Sequence, residues 1–194
     1  IGGFNMLRRL TANIFDFLLV LIIIFSIISI IPQSKNAENI SKELNTYLEK
    51  DLFSLKGEER NQAIDLAYSL DRETTYSYVI IALVMIVYFI FIPKYLKGKT
   101  LGKYFRKIKL VNEDISEVNY NTLTYRALLN TGLFIIILLP FFVYICNAFW
   151  YFNITLILMA LQLLFWLISA IILIIKKKSL VDYLTKTKII EVKR

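Results

Sequence analysis

The sequence predicts an all-α membrane protein with four transmembrane helices, and three observations lead to that prediction. Hydrophobic residues make up 57% of the 194 positions, and the mean hydropathy is +0.60. Such values are typical of integral membrane proteins. Long runs lack any charged residue, and the lysines and arginines concentrate in a few of the segments between those runs. The whole chain, 1–194, is therefore predicted to form one membrane domain.

The uncharged runs give the positions of the spans. No charge occurs in 17–34, 74–93 or 127–175, and a helix needs about 20 apolar residues to cross a bilayer. The third run is long enough for two helices, so we expect a hairpin with its break at 147–153, where two asparagines flank aromatic residues. The predicted spans are about 10–32, 75–96, 130–148 and 154–175.

Local signals refine the ends of these spans. The first span is expected to stay uncleaved, because residues 30–34 lack the small-residue pattern of a signal-peptide cleavage site. Pro93 and Pro140 have no backbone N–H, so each is expected to kink or end its helix.

The distribution of basic residues predicts the orientation. Lysine and arginine number two in the N-terminal arm, six in 33–74, eight in 94–131 and seven in 176–194. Seventeen of the 23 basic residues thus lie on one side of a four-span arrangement, and the positive-inside rule makes that side cytoplasmic. Both termini and the loop 97–126 are expected inside, where the lysines face anionic lipid headgroups.

The loop 33–74 is expected outside, and it is long enough to have its own structure. Its apolar residues recur at helical spacing on both sides of Lys56-Gly57, which predicts two short amphipathic helices. These helices either cap the membrane surface or use residues 36–72 to bind an extracytoplasmic protein partner.

The cytoplasmic segments are predicted to form a small platform of helix and β-ribbon. Residues 108–111 and 187–192 alternate as strands do and are expected to pair. Ser179 and Asp182 have the spacing of a capping box, so Asp182 is expected to cap a helix N-terminus.

Several function classes are disfavoured. The chain has no histidine and one cysteine, Cys146, so disulfides, metal sites and imidazole catalysis are not expected, and we predict no cofactor and no enzymatic activity. Gly98-Lys99-Thr100 is not a phosphate-binding loop, because Pro93 stands where that motif needs glycine. The +8 net charge lies in membrane-flanking loops, which argues against nucleic acid as a partner.

The most unusual residue is Asp16, an acid at the start of the first apolar run. Arg9 lies seven residues earlier and therefore on the same helix face. Placing a carboxylate within a membrane segment costs free energy, and such residues commonly have a function. An ion or solute path could use Asp16, Gln162 and Asn147, although interhelical hydrogen bonding is the role we expect first for Gln162. Arg126 is a candidate cytoplasmic partner of the acids.

Three separated segments together resemble the RDD family of bacterial membrane proteins. They are Arg9-Leu10-Thr11-Ala12 with Asp16, then Gly98-Lys99-Thr100-Leu101-Gly102-Lys103 with Ile108-Lys109-Leu110-Val111, and finally Leu180-Val181-Asp182-Tyr183-Leu184 with Thr187-Lys188-Ile189-Ile190.

The resemblance implies that Arg9, Asp16 and Asp182 are the arginine and two aspartates for which the family is named. It also implies a multipass protein of the bacterial cytoplasmic membrane, with transport as the role commonly suggested. The chain departs from the family in having Val181 where a histidine usually precedes the aspartate, which excludes an imidazole relay there. Its loop 33–74 is also longer than usual.

Two functional hypotheses follow. In the first, Asp16 binds and releases a cation or proton, because burial raises the pKa of a carboxyl group while a nearby arginine lowers it, and the two effects can balance. Asp182 is then a second acid. Four spans are few for a transport path, so a homo-oligomer would be required to form a path for the ion or a small solute. In the second, Arg9, Asp16 and Asp182 form a structural ionic cluster, and the protein is a scaffold or a subunit of a membrane complex.

Overall fold

The computed structural model describes residues 2–49 and 56–192, with side chains from residue 7 onward. The described chain is mostly helical, with one two-stranded antiparallel sheet. In chain order the elements are α1 Gly2–Ile30, α2 Lys35–Leu48, α3 Glu58–Glu73, α4 Thr75–Ile86, a π-helical turn Val87–Phe91, α5 Ile92–Tyr95, α6 Leu101–Phe105, β1 Ile108–Asn112, α7 Tyr120–Thr131, α8 Leu133–Ile145, α9 Ala148–Lys176, α10 Leu180–Leu184 and β2 Thr187–Glu191.

Within the described residues, three helical segments are long and apolar enough to cross a membrane, and the number becomes four if a bent pair of helices forms a single span. The three are Leu7–Ile30, Thr75–Tyr95 and Ala148–Lys176, and the pair consists of α7 and α8, which meet at 72°. The bend lies at Gly132, whose φ of +71° is a left-handed conformation that ends α7. Pro140 lies inside α8, which continues past it, so the break comes before the proline rather than at it.

The fourth predicted span begins earlier than expected. The sequence predicted a break over 147–153, but α9 already starts at Ala148 and contains the aromatic residues of that segment. Asn147 explains the early start, because its side-chain oxygen accepts a hydrogen bond from the Trp150 backbone N–H at 3.0 Å and caps the helix. The reversal between α8 and α9 therefore needs only Cys146 and Asn147.

Pro93 does not end its helix, which continues to Tyr95. The helix instead widens just before the proline into the π-helical turn Val87–Phe91, where the Ile92 N–H bonds to the Val87 carbonyl. A proline removes one N–H from the regular helix ladder, and a wider turn is one way for a helix to adjust. The turn directs Tyr88 into the interior, where the side chain is 2% exposed.

The β-ribbon confirms the predicted pairing. β1 and β2 run antiparallel, with Ile108 opposite Glu191 and Asn112 opposite Thr187. The first strand is also tied to the loop before it, because the Leu110 N–H donates to the Gly98 carbonyl at 2.8 Å. β1 and β2, together with α6 and α10, form a compact unit at one end of the long helices, which we call the platform.

The opposite end carries the hairpin of α2 and α3, which confirms that the loop after the first span contains two helices. Ser34 caps α2 by accepting a hydrogen bond from the Ala37 N–H at 3.0 Å. The part of the predicted helical pattern at 50–55 lies outside the described residues. Between the two ends, the long helices expose mostly apolar side chains, as expected for surfaces that face lipid.

Candidate functional site: two buried carboxylates at the platform

Asp16 is buried at the contact between α1 and the platform, and its side chain accepts three hydrogen bonds. The residue is 2% exposed. The Tyr88 hydroxyl donates to Oδ1 at 2.5 Å, the Thr100 hydroxyl donates to Oδ2 at 2.5 Å, and the Gly102 N–H donates to Oδ1 at 2.7 Å. All three donors are neutral, so hydrogen bonds rather than a direct ion pair stabilise the negative charge.

Each donor is positioned by a specific local structure. Tyr88 comes from the π-helical turn, whereas Thr100 is the N-cap of α6 and Gly102 lies in its first turn. The first N–H groups of a helix have no partner within that helix, and the Asp16 carboxylate accepts one of them. Asp16 thus joins α1, the second span and the platform.

Gly102 is required by the close approach of two backbones. A Cβ atom at this position would lie 2.4 Å from the Ala12 carbonyl oxygen and 2.8 Å from Asp16 Oδ1. Ala12 itself is fully buried. Small residues on both sides therefore let α6 come close enough to α1 for its N–H to reach the carboxylate.

Asp182 is the second buried acid, and two arginines neutralise it. Arg9 forms an ion pair with Oδ2, and Arg126 forms one with Oδ1 at 2.8 Å. The Ser179 N–H also donates to Oδ2 at 3.1 Å, and the Asp182 N–H donates to the Ser179 hydroxyl at 3.2 Å, which completes the predicted capping box. Asp182 is 0% exposed, and the side chains of Arg9 and Arg126 are only 12% and 13% exposed, so these contacts lie largely away from water.

Arg126 also holds the chain that follows Asp182. Its Nη1 atom donates to the Thr185 hydroxyl at 3.1 Å and to the Thr187 hydroxyl at 2.5 Å. Thr187 begins β2 and is 0% exposed. Arg126 on α7 therefore connects the bent third span to both α10 and the β-ribbon.

The environment of Asp182 favours its ionised form. Burial alone would raise the pKa of this carboxyl group, but Arg126 and Arg9 outweigh burial and lower the pKa to about 2. Asp182 is therefore a permanent anion at physiological pH and is unsuited to loading and releasing protons.

The three residues named from the family resemblance thus occupy two sites. Arg9 and Arg126 both meet Asp182, whereas Asp16 is bonded to Tyr88, Thr100 and Gly102. The one-cluster arrangement expected for Arg9, Asp16 and Asp182 is replaced by two adjoining ones, because the tail after α9 folds back over α1. The Arg9 guanidinium also donates to the Lys177 carbonyl at 3.3 Å, at the end of α9.

Lys103 is a charged residue of this region that the sequence reasoning did not single out. The pKa of Lys103 is lowered to about 8, chiefly by burial and then by the nearby Arg126, although Asp16 and Asp182 act in the opposite direction. The lysine follows Gly102 on α6, so its charge is felt by both acids. Thr100, Gly102 and Lys103 all lie in a segment that carries the family resemblance, and Thr100 is also of a residue type common at helix N-caps, but neither signal linked them to Asp16.

Gln162 and Asn147 have local partners. The Gln162 side-chain amide donates to the Leu129 carbonyl at 3.1 Å, next to the bend at Gly132. Asn147 caps α9 at the far end of that helix. Within the described residues, no hydrogen bond or ion pair links either side chain to Asp16.

A further polar network lies at the opposite end of the helices and was not predicted. The Tyr151 hydroxyl on α9 donates to Asp71 of α3 at 2.8 Å, and the Tyr78 hydroxyl on α4 lies 3.5 Å from that of Tyr151. The Tyr68 hydroxyl contacts the carbonyls of Val143 and Cys146 at 2.8 and 3.0 Å. These contacts fasten the α2–α3 hairpin to the ends of the membrane helices.

The Gly102→Ala substitution tests the close contact of α1 and α6. The added methyl group is expected to destabilise the protein by about 3 kcal/mol, because it collides with backbone and separates Asp16 from a donor. Gly132→Ala is the control: its left-handed φ of +71° and ψ of +17° are unfavourable for alanine, but the new Cβ would meet only ordinary contacts at 3.7 Å or more, so about 1 kcal/mol is expected. Thermal unfolding in detergent measures both, and equal losses would contradict the close-contact interpretation.

The Asp182 site predicts a specific acid sensitivity. Because its folded-state pKa is lowered from 3.8 to about 2, the ion pairs contribute their full stability above pH 4 and lose it as pH falls towards 2, a loss of about 2 kcal/mol. The stability difference between the parent and Asp182→Asn should therefore shrink from pH 5 to pH 2 in thermal unfolding. Asp65→Asn, on an exposed position of α3, is the control, and a constant difference for Asp182→Asn would contradict the prediction.

Comparison with known proteins agrees with the sequence resemblance. A family model described as the RDD family matches residues 5–186, nearly the whole chain, including Arg9, Asp16 and Asp182. Comparisons with curated proteins and with solved structures gave no match. The chain therefore belongs to the RDD family.

Proposed function

We propose that this protein is a multipass scaffold or subunit of a membrane complex, in which the membrane helices hold a platform on one side and a helical hairpin on the other. The observation that carries the proposal is the use of both buried acids as connectors. Asp182 joins α1, α7 and the tail, and Asp16 joins α1, the second span and α6. The hydrogen bonds and ion pairs of both carboxylates join segments that are distant in the sequence.

In this proposal the platform faces the cytoplasm of a bacterial cell and the α2–α3 hairpin faces the other side of the cytoplasmic membrane. The basic residues support that orientation, since the N-terminal arm, the loop at 94–131 and the tail carry 17 of the 23. Lysines of the platform are suited to anionic headgroups. The hairpin, which is acidic overall with nine acids against six bases in 33–74, is the surface offered to a protein partner.

Cation or proton transport by a homo-oligomer is the second candidate, and one feature of Asp16 favours it. The carboxylate is buried beside a π-helical turn and is bonded only to neutral donors among the described residues. Such turns occur often at functional sites. Unlike Asp182, Asp16 forms no ion pair within the described residues, so a bound cation would not have to displace an arginine.

Flux measurements on Asp16→Asn separate the two candidates. A scaffold is expected to give proteoliposome fluxes of protons, Na⁺ and K⁺ no higher than those of empty vesicles, and Asp16→Asn should lower the melting temperature in detergent because an amide cannot accept all three hydrogen bonds equally well. Asp65→Asn is the control for stability. Flux by the parent protein that Asp16→Asn abolishes while the variant stays folded would refute the scaffold and establish the carrier.

A replacement within the hairpin tests the proposed partner surface. Exchanging residues 36–62 for a flexible Gly-Ser linker keeps Tyr68 and Asp71, which anchor α3 to the membrane helices. The variant should keep its melting temperature to within a few degrees and lose the larger complex that the parent forms in mildly solubilised native membranes. Unchanged complex size on native gels would exclude the hairpin as the docking surface.

A further inference from the structure

A polar cleft lies away from both carboxylate sites, between α2, α3 and the last turn of α8. Its volume is about 550 Å³, within the range of sites for small ligands. The side chains that could bind a ligand are those of Asn36, Tyr68, Ser69, Arg72, Glu73 and Tyr144. Neither proposed function assigns a small ligand to this cleft.

The cleft opens at the level where the membrane spans begin. Arg72 and Glu73 end α3, and the second span starts at Thr75. On the other wall, Tyr144 lies one residue before the end of α8 and is 61% exposed. Phe149 and Trp150, at the start of α9, are each 60% exposed. Exposed aromatic residues at the end of membrane helices mark the headgroup layer of a bilayer.

Two opposite charges are adjacent in the cleft and are oriented by neighbours. The Arg72 guanidinium carbon lies 5.7 Å from the centre of the Tyr144 ring, a cation–π distance, and such a contact leaves N–H donors of the guanidinium free to bind an anion. The Glu73 carboxylate accepts hydrogen bonds from the Asn36 side-chain amide at 2.9 Å and from the Ser34 hydroxyl at 3.4 Å. No ion pair within the described residues joins Arg72 to Glu73.

We propose that this cleft binds the phosphoethanolamine headgroup of a membrane phospholipid. The guanidinium of Arg72 holds the phosphate, and the carboxylate of Glu73 accepts hydrogen bonds from the primary ammonium group. Arginine binds phosphate oxygens in a two-pronged geometry, and charge-assisted hydrogen bonds of this kind are stronger than neutral ones. The acyl chains then continue along the apolar surface of the adjoining spans.

The charges also predict which headgroups are rejected. A phosphocholine headgroup carries a trimethylammonium group without any N–H, so it cannot donate to Glu73. A phosphoglycerol headgroup has no cation and leaves the Glu73 carboxylate beside an uncompensated anion. The cleft is therefore selective for a primary amine next to a phosphate, and both Arg72 and Glu73 are needed for that selectivity.

Native mass spectrometry of the full chain, released from nanodiscs of mixed composition, tests the proposal. With equal amounts of phosphatidylethanolamine, phosphatidylcholine and phosphatidylglycerol, the parent should retain the ethanolamine lipid about fivefold over each of the others, which corresponds to the net energy of one ordinary hydrogen bond at a site open to water. Arg72→Gln should weaken retention of all three lipids. Glu73→Gln, which keeps the shape of the side chain, should remove the preference for the ethanolamine lipid only.

Arg60→Gln and Glu43→Gln are matched controls, because both positions are exposed and lie outside the cleft; they should retain lipids as the parent does. Equal retention of the three lipids by the parent, or the same pattern in the cleft variants and the controls, would overturn the proposal. A soluble arm uses O-phosphoethanolamine in detergent. Saturable binding of that compound without any lipid preference would also overturn it, since the ligand would then be a free small molecule.

Discussion

The buried contact of Asp182 with two arginines is the interaction on which the platform depends. Taking a carboxylate fully out of water costs several kcal/mol, and only well-placed opposite charges and hydrogen bonds compensate that cost. Arg9 arrives from the first helix and Arg126 from α7, while the capping box supplies backbone bonds. The three segments therefore have to pack together. If either arginine is displaced, the charge of Asp182 is left under-compensated. If that arginine is Arg126, its contacts with Thr185 and with Thr187 at the start of the β-ribbon are lost as well.

Asp16 is a second buried carboxylate, but neutral hydrogen-bond donors rather than arginines stabilise it. Two arginines lower the pKa of Asp182 to about 2 and so hold it ionised at neutral pH. Asp16 is stabilised by two hydroxyl groups and one backbone N–H, and Lys103 contributes charge from a neighbouring position. The two acids of the family motif therefore have different chemical capacities, with Asp182 fixed in its charge and Asp16 dependent on the packing of the π-helical turn and α6.

Sequence patterns predicted the features that depend on local order. The β-ribbon followed from alternation at 108–111 and 187–192, and the Ser179–Asp182 cap followed from spacing. The partners of Asp16 could not be predicted in this way. Tyr88 reaches it only because the helix widens before Pro93, and the Gly102 N–H reaches it only because Ala12 allows two backbones to touch. These are tertiary effects of side-chain size and helix adjustment, which carry no periodic signal.

The membrane helices are fastened at both ends, and this bears on how they can move. At the platform end, the Asp16 and Asp182 contacts tie the first span to α6 and α10. At the other end, Tyr151 bonds to Asp71 and Tyr68 bonds to the carbonyls that end α8.

An alternating-access carrier has to release contacts at one end while it keeps those at the other. Breaking the ion pairs of Asp182 would leave a fully buried charge, 0% exposed, without its partners. Breaking the Tyr151–Asp71 hydrogen bond would affect an acid that is only partly buried and can be hydrated. We therefore expect any large opening at the α2–α3 end, with the platform end as the fixed part, which is the arrangement that the proposed scaffold needs.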